Sequence, residues 1–251
     1  LRILAIFPVF MISIASLLAV LCVSAGKKPG MMDDYALFAL DVSRIGEDML
    51  QNLDAKISSV NAASNAVGVV ETKVIQVVNN AYHGLISDLQ LNDFYAIHVS
   101  SSCVGTYVYE NGTNVTVGDG GLPTSNGKYG VHKRVDSCST HSAIDPMSLI
   151  KILYWIGIIF TGVALIFGIT GLVLLPTGRG RKLAVFNIIA TLFAFIFIGL
   201  ASAVTHGLAL GATKFINFVG ESIGIAGYLG SRFMAMTWAT TVLLLINMLL
   251  W

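Results

Sequence analysis

Residues 3–25 carry no charged side chain, and three further runs almost free of charge follow at 151–175, 183–213 and 233–251. A helix needs about 20 apolar residues to cross a bilayer core. Loops and open sheet edges cannot face lipid there, because their backbone polar groups would have no partners. Four such runs constrain the chain to a bundle of membrane helices, with the intervening residues left to build whatever stands outside it. Composition agrees: 55% of residues are hydrophobic, 12% are charged, and mean hydropathy is +0.77. The 15 Lys and Arg are scattered rather than gathered into a stripe, which removes nucleic acid as a partner.

The first run is expected to be a span. A cleaved signal peptide, with Val23 and Ala25 as the small residues before a cleavage site, would need an apolar core of only about 7–15 residues. Pro8 is expected to kink this helix or to be accommodated by its neighbours. Leu1 is not Met and Trp251 closes inside an apolar run, so the residues are expected to be part of a longer protein. Residues 26–150 form the large segment outside the membrane. From Phe38 the apolar positions Val42, Ile45, Met49, Leu53, Ile57 and Val60, then Val67, Val70, Val74, Val77, Ala81 and Leu85, follow the spacing of an amphipathic helix. Weak helix formers at Ser58, Ser59 and 61–65 leave two readings, one bent helix or two that meet there. The apolar stripe reads as a packing face. Asp33 and Asp34 read as a solvated helix start.

Residues 91–146 are the most informative. Cys103 and Cys138 flank two N-glycosylation patterns, at Asn111 and Asn114, which points to an oxidising compartment outside the cytosol. A disulfide between them would close a loop of about 35 residues and stabilise the fold by about 3–4 kcal/mol. Cys22 is then left as a buried thiol in the first span. Tyr107-Val108-Tyr109, the Asn111-Gly112 pair and Val115-Thr116-Val117 spell a β-hairpin. The two sequons are too close for easy double use, and a tight turn at Asn111 favours Asn114.

Asp93-Phe94-Tyr95, His98, Cys103-Val104-Gly105, Val135-Asp136-Ser137-Cys138-Ser139 and Asp145-Pro146 together resemble the outer-loop signature of the fungal Sur/PalI family. That family comprises four-span eisosome, or cortical actin patch, proteins and PalI pH-response regulators, and is distantly claudin-like. The chain differs from its pattern at Ser101-Ser102 and Val104. It lacks the Trp-rich motif of animal claudins, which removes a tight-junction reading. The resemblance implies an all-α membrane protein, a claudin-like four-transmembrane-helix bundle with a large extracellular loop of amphipathic helices and a small disulfide-stapled β-hairpin. It implies that His98 packs or hydrogen-bonds beside the base of that ribbon.

Arg179, Arg181 and Lys182 lie in the short 176–182 link between the second and third spans. Short basic loops stay cytoplasmic. That places both chain ends inside, and residues 26–150 and the second connection, 214–232, outside. Gly207 with Gly211, and Gly220, Gly224, Gly227 and Gly230, make small-residue faces suited to close helix approach, and packing within the bundle is the expected use. His132 and His141 near Cys138, like the isolated His83 and His206, lack metal-ligand spacing. No span holds a buried acid or base of the kind that marks ion pathways, and no nucleophile elbow or phosphate loop is present. The expectation is a non-catalytic plasma-membrane glycoprotein with no cofactor. Its partners are membrane lipids and other membrane proteins or copies of itself, in a role linked to the cell wall. The alternative is an auxiliary subunit of a channel, proton pump, wall-polymer synthase or PalI-like pH-sensing complex.

Overall fold

The computed structural model describes residues 2–43, 92–109, 131–140, 147–174, 180–220 and 224–251. Four helices in it are long and apolar enough to span a membrane: α1 (Arg2–Ser24), α2 (Met147–Leu174), α3 (Gly180–Gly220) and α4 (Ser231–Leu250). They pack in a ring, α1 against α2 and α4, and α3 against the same two. Each helix turns one stripe inward. On α2 it is Ile150, Tyr154, Gly157, Thr161, Ala164, Gly168 and Gly171, alternating four- and three-residue steps. On α1 it is Ile12, Ala15, Ala19, Cys22 and Val23, while Phe10 and Leu17 stay exposed.

The inward residues are small or hydroxylated because lipid tails are as apolar as leucine, so span association depends on close packing and hydrogen bonds instead. Gly157 lets α2 approach Ile198 of α3, where an added Cβ would lie 2.4 Å from Ile198 Cγ1. Thr161, Ser202 and Thr205 satisfy their hydroxyls on carbonyls four residues earlier in their own helices. A second polar cluster joins α2, α3 and α4. The Asn187 amide donates to Ala164 O and accepts from Trp251 Nε1, both at 2.8 Å. Asn247 Nδ2 donates to Thr191 Oγ1 at 3.3 Å.

At one end of the bundle stands a five-stranded antiparallel sheet: β1 (Phe38–Asp41), β2 (Phe94–Ile97), β3 (Ser101–Tyr109), β4 (Val131–Thr140) and β5 (Ala226–Leu229), in the order β4-β3-β2-β1-β5. Four strands come from the segment between α1 and α2. The fifth comes from the link between α3 and α4 and pairs with β1, Ala39 opposite Tyr228. The outer part is therefore a sheet rather than a small hairpin.

Several expectations change with it. Tyr107–Tyr109 pairs with Val131–Lys133, not with 115–117, on the same β3–β4 ladder that sets Cys103 opposite Cys138. The Asn111-Gly112 turn and 115–117 lie outside the described residues. Residues 38–41, read as the start of a helical stripe, form a strand with partners on both edges. The stripe over 44–91 lies outside the described residues. Asp33 and Asp34 sit in a turn, not at a helix start. Residues 92–103 do not run straight on: the chain reverses between β2 and β3, with His98 N–H donating to Ser101 O at 2.8 Å.

The third helix continues past Thr213 to Gly220, so its 41 residues extend about 60 Å, roughly twice a bilayer core. Gly157 faces Ile198 and Gly171 faces Leu183, which puts Met147, the first residue of α2, level with about Leu208 of α3. The remaining turns of α3 stand beyond the other spans. One side of this extension holds the sheet. Asn217 clamps β5, its Oδ1 accepting from Gly227 N at 2.6 Å and its Nδ2 donating to Gly227 O at 3.1 Å.

Candidate functional site

The sheet is fastened to the bundle where α1 ends. A helix leaves its last carbonyls without intrahelical partners, and the β2–β3 turn supplies them. Ser100 Oγ donates to Val23 O at 2.8 Å, and Ser101 Oγ donates to Gly26 O at 2.6 Å. Gly26 adopts φ 71°, the left-handed conformation glycine takes at helix ends. The buried His98 ring packs against its bare Cα, where a Cβ would lie 2.3 Å from His98 Cδ2. His98 Nδ1 is 3.2 Å from Tyr35 O. A carbonyl only accepts, so in this bond the proton is on Nδ1.

The other signature residues organise the face of the sheet turned away from α3. Asp93 carries two contacts: its carboxylate accepts Tyr107 N–H at 2.7 Å, and its carbonyl accepts Val42 N–H at 2.9 Å. Partial burial pushes its carboxyl above the usual range; the hydrogen bond from Tyr107 N–H opposes the rise, and the nearby charges of Asp41 and Asp136 add to it. Tyr107 O–H donates to Asp41 Oδ2 at 3.0 Å. Burial first, then the Asp41 charge, holds that phenol protonated. Phe94 is buried with its ring 5.5 Å from that of Tyr107 and 5.5 Å from the Lys133 ammonium. Tyr95 points to the opposite face, as strand alternation requires.

Gly105 follows a register shift between Val104 and Gly105, a bulge that brings β4 close: a Cβ there would lie 2.1 Å from Arg134 O. Cys103 and Cys138 form a disulfide across β3 and β4. Asn111, Asn114, Arg179, His83, His141, Asp145 and Pro146 lie outside the described residues; Arg181 and the exposed Lys182 open α3 at the end opposite the sheet. Among the described residues no three His, Cys, Asp or Glu side chains are grouped to hold a metal ion.

The small-residue faces divide. Gly220 and Gly227 pack inside the molecule, against Ile225 and against Ile216 with Thr213. Gly207 and Gly211 do not: among the described residues nothing lies within 4 Å of where their Cβ would be. They face outward beside Leu208, Phe215 and Phe218, which are 46%, 68% and 85% exposed. Internal packing, expected for this pair, is not its use in the chain, because the opposite face of α3 is the one that meets the bundle and sheet.

Four apolar helices, a sheet assembled from two separate segments and a disulfide across its outer strands define a multi-pass membrane protein that carries a folded domain at one end. The sequence model of the SUR7/PalI family matches residues 4–250, and the chain belongs to that family. Neither a curated protein nor a solved structure matches it.

Proposed function

We propose that this protein is a non-catalytic organiser of a fungal plasma-membrane domain of the eisosome type, acting by lateral association and by a claudin-like sheet domain presented toward the wall. The observation that carries this reading is the uncovered face of α3. Gly207 and Gly211 allow another helix to approach closely, and Leu208, Phe215 and Phe218 give it an apolar surface, the run 208, 211, 215 and 218 following three- and four-residue steps. Phe215 and Phe218 lie on the part of α3 that outreaches the other spans, where acyl chains do not cover them. The stapled cysteines support presentation of the sheet on the oxidising side, and the basic 176–182 link supports cytoplasmic chain ends. The second reading, an auxiliary subunit of a larger membrane complex, draws on the same projecting phenylalanines.

Leu208→Cys separates the two. The native cysteines are bridged or buried, so the added thiol is the reactive one. A short thiol cross-linker applied to native membranes should give a dimer of this chain at Leu208→Cys, several-fold faster than at Ile169→Cys on the lipid face of α2. A cross-link to a larger protein in fixed ratio would support the auxiliary reading. Equal rates at both positions would refute a specific lateral contact.

A further inference from the structure

On the face of the sheet away from α3 lies an open groove of about 710 Å³. Its space exists because the floor is small: Ala39 and Ala96 are cross-strand partners, and Ala39 is flanked on its other side by Tyr228. The walls are aromatic and charged. Phe94 and Tyr35 join Tyr228 as rings, while Lys133 and Arg232 oppose Asp33 and Asp34. Among the described lining residues, two cations and two carboxylates balance.

Asp34, Lys133 and Arg232 are exposed. Arg232 pairs with Asp34 in an exposed salt bridge, of the kind that contributes little stability and exchanges readily. Lys133 is exposed, its ammonium over Phe94. Asp33 Oδ2 accepts Gly30 N–H at 3.0 Å, and its buried Oδ1 has no hydrogen-bond partner among the described residues.

The position of the groove narrows the ligand. Its lower rim is Ser231 and Arg232, the first residues of the α4 span, together with the turn at 30–35 that follows α1. That is the level of a lipid headgroup. Its upper rim is Lys133 and Val135 on β4. A ligand held here needs an anion for the two basic side chains and a cation for the carboxylates and ring faces, which attract ammonium groups, quaternary ones included. An uncharged sugar would use the rings and leave Lys133 and Asp33 without a counter-charge.

We propose that this groove binds the zwitterionic phosphate–ammonium headgroup of a neighbouring membrane lipid. The site needs only a headgroup layer beside α1 and α4, so it stands whichever side of the membrane the sheet faces and whether or not α3 associates laterally.

The test uses the whole chain in a polyoxyethylene detergent, with its thermal unfolding midpoint followed as ligand is added. Dihexanoyl-phosphatidylcholine below its micellar concentration should raise the midpoint saturably. Glycerophosphocholine, the same headgroup without chains, should do so at higher concentration. Lys133→Gln and Tyr228→Ala, both at exposed positions, should each weaken the apparent affinity at least tenfold, and Lys182→Gln at the far end should leave it unchanged. The proposal is overturned if dihexanoyl-phosphatidylglycerol or inorganic phosphate binds as tightly as phosphatidylcholine, which would reduce the site to a basic patch. It is overturned if glycerophosphocholine fails to bind, since the contact would then lie on the acyl chains. Binding of a linear glucose oligomer in place of the lipid would overturn it in favour of a carbohydrate site, and unchanged affinity in both groove variants would overturn it outright.

Discussion

Cys138→Ser should lower the stability of the sheet domain by about 3–4 kcal/mol in the chain-entropy account of disulfides, while the helix bundle stays folded. The bond joins residues 35 apart, and between them lie β3, the 110–130 segment and β4. Without the bond, the unfolded form of this stretch regains the freedom of an open loop. The β3–β4 pairing then rests on its own hydrogen bonds, and a two-stranded ribbon is marginal alone. The neighbouring β2 holds only one edge of β3. Cys138 is the better residue to change because it is partly exposed, whereas Cys103 is fully buried with its sulfur 3.2 Å from Gly26 O. The expected result is faster amide hydrogen exchange across β3 and β4, with that of α1–α4 unchanged, and reduced delivery to the cell surface. Wild-type exchange rates in the variant, or two alkylatable thiols in the native chain, would show that the bridge does not hold the sheet.

Gly105→Ala should be comparably damaging for a different reason. The new methyl group would sit 2.1 Å from the Arg134 carbonyl oxygen and 2.7 Å from the Phe94 ring. The oxygen belongs to the backbone of β4, so it can move only by opening the β3–β4 ladder. Phe94 cannot swing aside freely, since it is buried against Tyr107. Overpacking of this kind costs about 1–3 kcal/mol when side chains can adjust, and here the rigid partner puts the expected loss at about 3 kcal/mol or more. Gly162→Ala on α2 is the matched control, because among the described residues nothing lies within 4 Å of its added carbon. Thermal unfolding should show a large drop for the first and none for the second. An equal response would mean that β4 does not approach Gly105 as described.

The four spans could be read from residue order because a bilayer imposes its demand locally: each helix must supply about 20 apolar residues by itself. The sheet makes the opposite kind of demand. Phe38–Asp41 and Ala226–Leu229 are four-residue strands with no alternation of their own. They are strands because each finds a partner far along the chain, Phe38 opposite Leu229, and that tertiary pairing outweighs local preference. The expected pairing of Tyr107–Tyr109 with 115–117 gave way similarly, for Tyr107 lies opposite Lys133, far along the chain.

Of the site, Asp93, Phe94 and Gly105 were marked by resemblance without their tasks, whereas His98 packs and hydrogen-bonds beside the ribbon as the resemblance implied. Nothing in the residue order says that the His98 ring fills the space a Gly26 side chain would need. Ser101, a departure from the family pattern, holds the Gly26 carbonyl just past the end of α1. Asn187 and Asn247 passed unnoticed because a search of spans for charge does not register amides. Spacing identifies Gly207 and Gly211 as a close-approach face without saying which way it turns.

In the proposed orientation the bundle displays a covalently stapled sheet on the outer side of the plasma membrane. Single cysteines at Tyr228, half exposed on the sheet, and at Lys182, exposed at the far end of α3, test it with a membrane-impermeant maleimide. In intact cells the account predicts labelling at Tyr228→Cys alone, with Lys182→Cys reacting only after the membrane is permeabilised. Labelling of Lys182→Cys in intact cells, with Tyr228→Cys protected until permeabilisation, would contradict it.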